Sequence, residues 1–156
     1  MESNFNIVLF EPEIPGNTGS IGRTCVALNL RLILIKPYGF DIDEKAVRRA
    51  GLDYWKHVNI TEYENLADFM DGEKPSEDKL FFFENDGSKN YFEADFTKDS
   101  FLIFGAETKG LSKEIYENYQ HRMFYLPMYS EHIRSVNLSN TATTVAYEAL
   151  RKIKFS

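Results

Sequence analysis

Leu126-Pro127-Met-Tyr-Ser-Glu-His-Ile-Arg134-Ser135-Val-Asn137-Leu-Ser139-Asn140 is a long polar loop that runs directly into an apolar helix. A helix start leaves amide groups without partners, and Ser or Asn side chains are the usual acceptors there. One such residue makes a cap. Ser135, Asn137, Ser139 and Asn140 together are more than capping requires, so the loop is read as functional. Behind it, Asn140 to Lys152 carries Val145 and Ala149, with Ile153 directly after, at helical spacing, which predicts a closing helix.

Upstream of this loop, β-rich runs alternate with amphipathic stretches. Strands are predicted at Phe5 to Phe10, Arg31 to Ile35, Leu80 to Phe83, Phe101 to Phe104 and Arg122 to Leu126. Between them, Asn17 to Asn29 has helical spacing, Asp43 to Gly51 reads as a short basic helix, and Ser112 caps another short helix. Thr61-Glu-Tyr-Glu64 matches a capping box and predicts a helix to about Met70, followed by a polar loop over Asp71 to Asp78. Alternation of this kind predicts an α/β fold with a mainly parallel sheet flanked by helices. The 156 residues contain no repeat and no linker composition, so a single domain over 1–156 is expected.

Bulk properties narrow the function. Hydrophobic residues make up 43%, enough for a packed core. No apolar run approaches the ~20 residues that span a bilayer. Met1-Glu-Ser-Asn-Phe-Asn6 carries an acid and no basic region before its short apolar stretch, unlike a secretion signal. Cytoplasm is the expected location. Cys25 is the single cysteine, and His57, His121 and His132 are scattered without ligand spacing, so no metal is expected. The net charge of −6 argues against a uniformly basic nucleic-acid surface. It is unevenly spread, however. Arg23 to Lys56 holds seven Lys/Arg against four Asp/Glu, while His57 to Asp99 holds four against twelve. A local cationic surface is sufficient to meet phosphates.

Two glycine patterns fail as nucleotide fingerprints. Gly105-Ala-Glu-Thr-Lys-Gly110-Leu-Ser112 has Leu111 where a phosphate loop needs its Lys. Gly16, Gly19 and Gly22 lack the spacing of the dinucleotide motif. Three segments remain, each beside a predicted strand: Pro12 to Arg23, Phe101 to Leu111, and the loop from Leu126 to Asn140. Ligand sites of open α/β sheets gather at the carboxyl ends of strands. Taken singly, the first is equally a helix cap with an exposed arginine, and the second reads first as an ordinary strand-to-helix turn.

Taken in order, they resemble the three motifs of the SPOUT superfamily, in its TrmL/YibK-like branch. Asn17-Thr-Gly-x-x-x-Arg23, Arg48-Arg-Ala-Gly-Leu-Asp-Tyr54, Phe104-Gly-x-Glu-Thr-x-Gly110 and Arg134-Ser-x-Asn-Leu-Ser-Asn140 carry the resemblance. It extends over nearly the whole chain. It implies a deep C-terminal trefoil knot, an exception to the rule against threading, and a homodimer. It also implies 2'-O-methylation of the tRNA wobble nucleotide, cytidine or modified uridine, with S-adenosyl-L-methionine as cofactor and the anticodon stem-loop as partner. Carried over by motif, Phe83, Gly105, Leu126 and Ser135 would bind the cofactor, with Glu107 beside it and Asn137 bracing the loop. Arg23 matches the family's catalytic arginine. Asn17 falls on the substrate side, and Arg134 and Tyr147 near the substrate or the dimer seam. Lys45, Arg48 and Arg49 form a basic cluster near Tyr54 and Trp55, suited to a single-stranded loop, although Trp55 is read first as a core residue. The chain departs from the family pattern at Ala106, which replaces a proline, and in a loop one residue longer between Pro127 and Arg134. The rival expectations are a non-catalytic RNA-binding protein with the same fold and an ordinary doubly wound nucleotide enzyme.

Overall fold

A computed structural model describes residues 3–42 and 54–156. Among them, β1 (Asn6–Phe10), β2 (Arg31–Ile35), β3 (Asn59–Tyr63), β4 (Leu80–Phe83), β5 (Lys89–Asn90), β6 (Phe101–Phe104) and β7 (Met123–Tyr125) form one sheet. Its order is β3-β2-β1-β6-β4-β7-β5, and every neighbouring pair is parallel. The helices are α1 (Pro15–Leu28), α2 (Leu66–Glu73), α3 (Lys113–Tyr119) and α4 (Leu138–Lys154).

The central strands are near-continuous apolar runs because both their faces are covered. Ile7, Leu9, Leu32, Phe81 and Phe104 share one core with Ile21 and Cys25 of α1 and Val145 and Ala149 of α4. Val8, Ile33, Phe82 and Ile103 share the other with Phe69 of α2 and Ile115 of α3. Period-2 alternation thus divides each strand between two helical layers. On the first face, α1 and α4 also meet through the hydroxyls of Thr24 and Thr143, 2.7 Å apart.

The α/β, mainly parallel architecture agrees with the sequence expectation, and β1, β2, β4 and β6 lie where their apolar runs predict them. The capping-box helix does not. Asn59–Tyr63 is a strand that pairs with all of β2, from Arg31↔Asn59 to Ile35↔Tyr63. The helix begins later, with the Asn65 side chain accepting from the Asp68 amide at 2.8 Å. Five ladder positions outweigh the preference of one Thr/Glu pair, a case of tertiary context overriding a local signal. Asp71 to Glu73 continue that helix, and Glu77–Lys79 forms a 3-10 turn where one polar loop was expected. The predicted basic helix from Asp43 to Gly51 lies outside the described residues.

At the amino end of the sheet, polar groups bond mainly to one another. Asn6 donates to the Ser100 carbonyl at 3.2 Å and accepts from Arg31 Nε at 3.0 Å. The Arg31 guanidinium reaches the Glu73 carboxylate, with one bond of 3.1 Å, and the Tyr63 hydroxyl donates to the same carboxylate. Burial pushes the Glu73 carboxyl up, but its Arg31 and Tyr63 hydrogen bonds prevail and hold it below the usual range.

Candidate functional site

From β1 the chain moves outward to β2 and β3, then crosses to the other side of the sheet. The strand order therefore reverses between β1 and β6. Crevices at such a reversal, outside the carboxyl ends of the strands, are where open α/β sheets take ligands. A cleft of about 480 Å³ opens there. It gathers Phe83 from the end of β4, Gly105 and Glu107 from beyond β6, Leu126 from beyond β7, and Ser135 and Asn137 from the stretch before α4. All six residues expected around the cofactor line this one cleft, and Asn17 joins them from α1.

The wall after β6 is shaped by two glycines. At Gly105 a Cβ would stand 2.4 Å from the Gly110 carbonyl carbon and 2.6 Å from the Leu111 nitrogen, so no side chain fits. Gly110 has φ +67°, a left-handed conformation that a side chain resists. Between them Ala106 and Gly110 exchange two backbone bonds of 3.1 and 2.9 Å. Ala106 closes this small loop through its N–H, a donor that the proline of the family pattern would lack.

Carboxylates from elsewhere in the fold hold the loops. The Glu107 carboxylate accepts from the amides of Glu13 at 2.8 Å and Ile14 at 2.9 Å, and from Asn17 Nδ2 at 3.1 Å. Ile14 is the N-cap of α1 and has no capping side chain of its own. Glu107 thus supplies the acceptor and the negative charge that a helix start favours. Reciprocally, the Glu13 carboxylate accepts from the Thr108 amide at 2.9 Å, the Thr108 hydroxyl at 2.7 Å and the Lys109 amide at 3.2 Å. The Thr108 bonds hold the Glu13 carboxyl below its ordinary value. Across the cleft, Glu84 Oε1 accepts from the Leu111 amide at 2.7 Å. Burial, and then the charge of Asp86, pushes the Glu84 carboxyl up.

The third segment is anchored in the same manner. Leu126 to Asn137 belongs to neither strand nor helix. Asn85 Nδ2 donates to the Arg134 carbonyl at 2.9 Å. Asn137 caps α4 by accepting from the Ser139 and Asn140 amides, at 2.9 and 3.3 Å, while its Nδ2 donates to Asn17 Oδ1 at 3.3 Å. Asn137 therefore ties the third segment to the first.

The remaining candidates among the described residues lie outside the cleft lining. Arg23 is exposed on α1, its guanidinium 5.4 Å from the centre of the Tyr54 ring. The Tyr54 hydroxyl reaches back to the Gly19 carbonyl at 3.5 Å. Trp55 packs on the same helix: a Cβ at Gly22 would stand 2.7 Å from its ring. The small residues of the first segment thus admit aromatic rings against the helix. Arg134 is exposed, and Tyr147 is exposed on α4. Lys45, Arg48 and Arg49 lie outside the described residues. The single-sequence reading did not find Glu13, Glu84, Asn85 or Tyr116. For Glu84 a signal existed, since an acid stood directly after a buried strand. Among the described residues, no group of His, Cys, Asp or Glu could hold a metal.

The SpoU rRNA Methylase family model matches residues 4–147. A protein of Saccharophagus degradans named tRNA (cytidine(34)-2'-O)-methyltransferase is 42% identical, over 97% of each chain. A Bacillus subtilis protein given the same activity in a provisional name is 46% identical, over 94% of this chain and 92% of its own. A solved structure described as giving insights into 2-OH methylation of C/U34 on tRNA superposes with a TM-score of 0.86, at 34% identity and 95% of both chains. The SpoU methyltransferase AviRb of Streptomyces viridochromogenes, solved in complex with AdoMet, gives 0.82 at 27% identity, over 97% of this chain and 62% of its own. The likeness read from the motifs thus extends to the whole fold, and this chain belongs to the SpoU rRNA methylase family.

Proposed function

We propose that this protein transfers the methyl group of S-adenosyl-L-methionine to the 2'-hydroxyl of the wobble nucleotide, cytidine or modified uridine, in the tRNA anticodon loop. One observation carries the reading: three segments far apart in sequence close around a single cleft at the carboxyl end of the sheet. Relatives 42% and 46% identical along almost the full chain, named for this activity, support it.

The cleft fits the cofactor. Its volume falls in the ~300–1,000 Å³ range of small-ligand sites. The chain from Leu126 to Asn137 commits its backbone to no strand or helix, which leaves main-chain groups not held by side chains such as Asn85 to meet a ligand. Glu84 and Glu107 give the cleft acidic groups, which suit a cationic sulfur compound. Phe83, Gly105, Leu126 and Ser135 would hold the ligand, with Glu107 and Asn137 fixing the loops. When bound, S-adenosyl-L-methionine supplies an already activated methyl group.

The protein's share of the work is position. Holding reacting atoms in near-attack geometry contributes about 7–11 kcal/mol. Arg23 carries a guanidinium, a poor proton acceptor and a good phosphate ligand, so its role is to fix the nucleotide beside the cleft. Asn17, Arg134 and Tyr147 are the further substrate-side groups, and Arg48 and Arg49 would meet the RNA backbone. The same reading includes the threaded C-terminal knot, a homodimer and a cytoplasmic location.

The test is chemical. After incubation of tRNA with protein and S-adenosyl-L-methionine, alkali should cleave every linkage except the one following nucleotide 34, because a 2'-O-methyl removes the internal nucleophile. Methylated tRNA that alkali cleaves at every linkage would carry its methyl on a base, and the ribose assignment would be wrong.

A further inference from the structure

We propose that Glu84 is a further ligand-contacting residue of the cleft, its carboxylate receiving a hydrogen-bond donor of the adenosyl ligand. This rests on the reading that the cleft takes S-adenosyl-L-methionine. Glu84 directly follows Phe83, the last residue of β4, and lines the cleft. Its Oε1 is fixed by the Leu111 amide at 2.7 Å, which orients the carboxylate. Gly110 leaves room beside it: a Cβ there would stand 2.7 Å from Oε1 and 3.5 Å from Oε2.

The electrostatics of this position are incomplete. Among the described residues, no Lys, Arg or His forms an ion pair with Glu84. The groups around it are Asp86, Tyr116 and the amides of Asn85 and Leu111, while Glu107 and Lys109 line the same cleft. The Tyr116 hydroxyl donates to Asp86 at 3.0 Å and also serves Glu84. Asp86 adds negative charge and burial removes water, so the ionised form of Glu84 is disfavoured as it stands. A ligand bearing an ammonium group or a ribose diol would add a further donor to those from Leu111, Asn85 and Tyr116. Its binding would favour the carboxylate and release a proton on the acid side, where Glu84 is partly protonated.

The experiment is calorimetric titration of the full chain with S-adenosylhomocysteine, in buffers of different ionisation enthalpy and over a range of pH. Wild type should release a proton on binding at acid pH. Glu84→Gln keeps an acceptor for Leu111; it should bind about tenfold or more weakly and release none. Asp86→Asn leaves Glu84 in place and should move the proton release to lower pH. Methylthioadenosine, which keeps the diol but lacks the amino acid, identifies the donor. Equal weakening of both ligands by Glu84→Gln points to the diol; weakening of S-adenosylhomocysteine alone points to the ammonium. Glu84→Gln binding within about twofold of wild type, or an unshifted profile in Asp86→Asn, overturns the proposal. Wild type binding neither compound would instead overturn the cofactor reading of the cleft, and this proposal with it.

Discussion

The two ends of the sheet use carboxylates for opposite purposes. At the amino end, Glu73 takes a guanidinium and a phenol, Arg31 and Tyr63, and Asn6 bridges Arg31 to Ser100. Charge meets charge, and the corner is closed. At the carboxyl end, Glu13, Glu84 and Glu107 accept mainly from backbone amides of loops distant in sequence. These acids are spent on fixing main chain, and the result is an open cleft. Loops that must present their own backbone to a ligand have to be held by side chains from elsewhere, since an internal ladder would use up the groups on offer.

Four substitutions test this contrast. Gly105→Ala should do the most damage, because its Cβ meets backbone at 2.4 Å and nothing there can turn aside. Cofactor affinity is expected to fall by about a hundredfold or more, with about 1–3 kcal/mol of stability lost to overpacking. Calorimetric titration and a denaturant melt measure the two effects; intact affinity would mean that the loop wall does not form the site. Arg23→Ala should lower turnover by roughly a hundredfold while cofactor affinity stays within about twofold, since Arg23 lies outside the cleft lining. Single-turnover rates on tRNA decide it, and a near-normal rate would remove Arg23 from the mechanism. Glu13→Gln weakens the grip on Thr108 and Lys109 and should cost about tenfold in cofactor affinity. Glu73→Gln belongs to the closed end, where the expected loss is about 1–2 kcal/mol of stability at neutral pH with cofactor affinity unchanged. Its folded-state pKa is lowered, so Glu73 contributes stability above the ordinary carboxylate range and loses it as pH falls through the folded value. Unfolding curves of wild type and variant should therefore converge in acid. A drop in cofactor affinity in this last variant would erase the distinction between the ends.

Most of the fold could be read because it rests on local composition. Val8, Ile33, Phe82 and Ile103 lie in uninterrupted apolar runs, and such runs mark strands buried on both faces. The β3 strand hid because it stands at the border of the described sheet, where Asn59 and Glu62 are exposed. Its pattern lacks an apolar run, and Thr61 and Glu64 imitate a helix start. The two-residue β5 is too short to leave any pattern. At the site, the loops were legible from their glycine, serine and asparagine content, together with the family likeness. The acids that hold them were not. Glu107 pairs with Glu13 and Ile14 over 94 and 93 positions, and nothing in either stretch alone names its partner. Long-range carboxylate-to-amide bonds are a product of topology, visible only after folding.

Among the described residues the sheet is wholly parallel and has two borders, both of them poor templates for strand addition. On one, β3 offers exposed Glu62, with Lys36 and Glu64 salt-bridged beside it; on the other, β5 offers two residues, one of them lysine. Short, charged margins of this sort resist zipping with a neighbouring chain. Edge-to-edge growth from either border is thereby disfavoured.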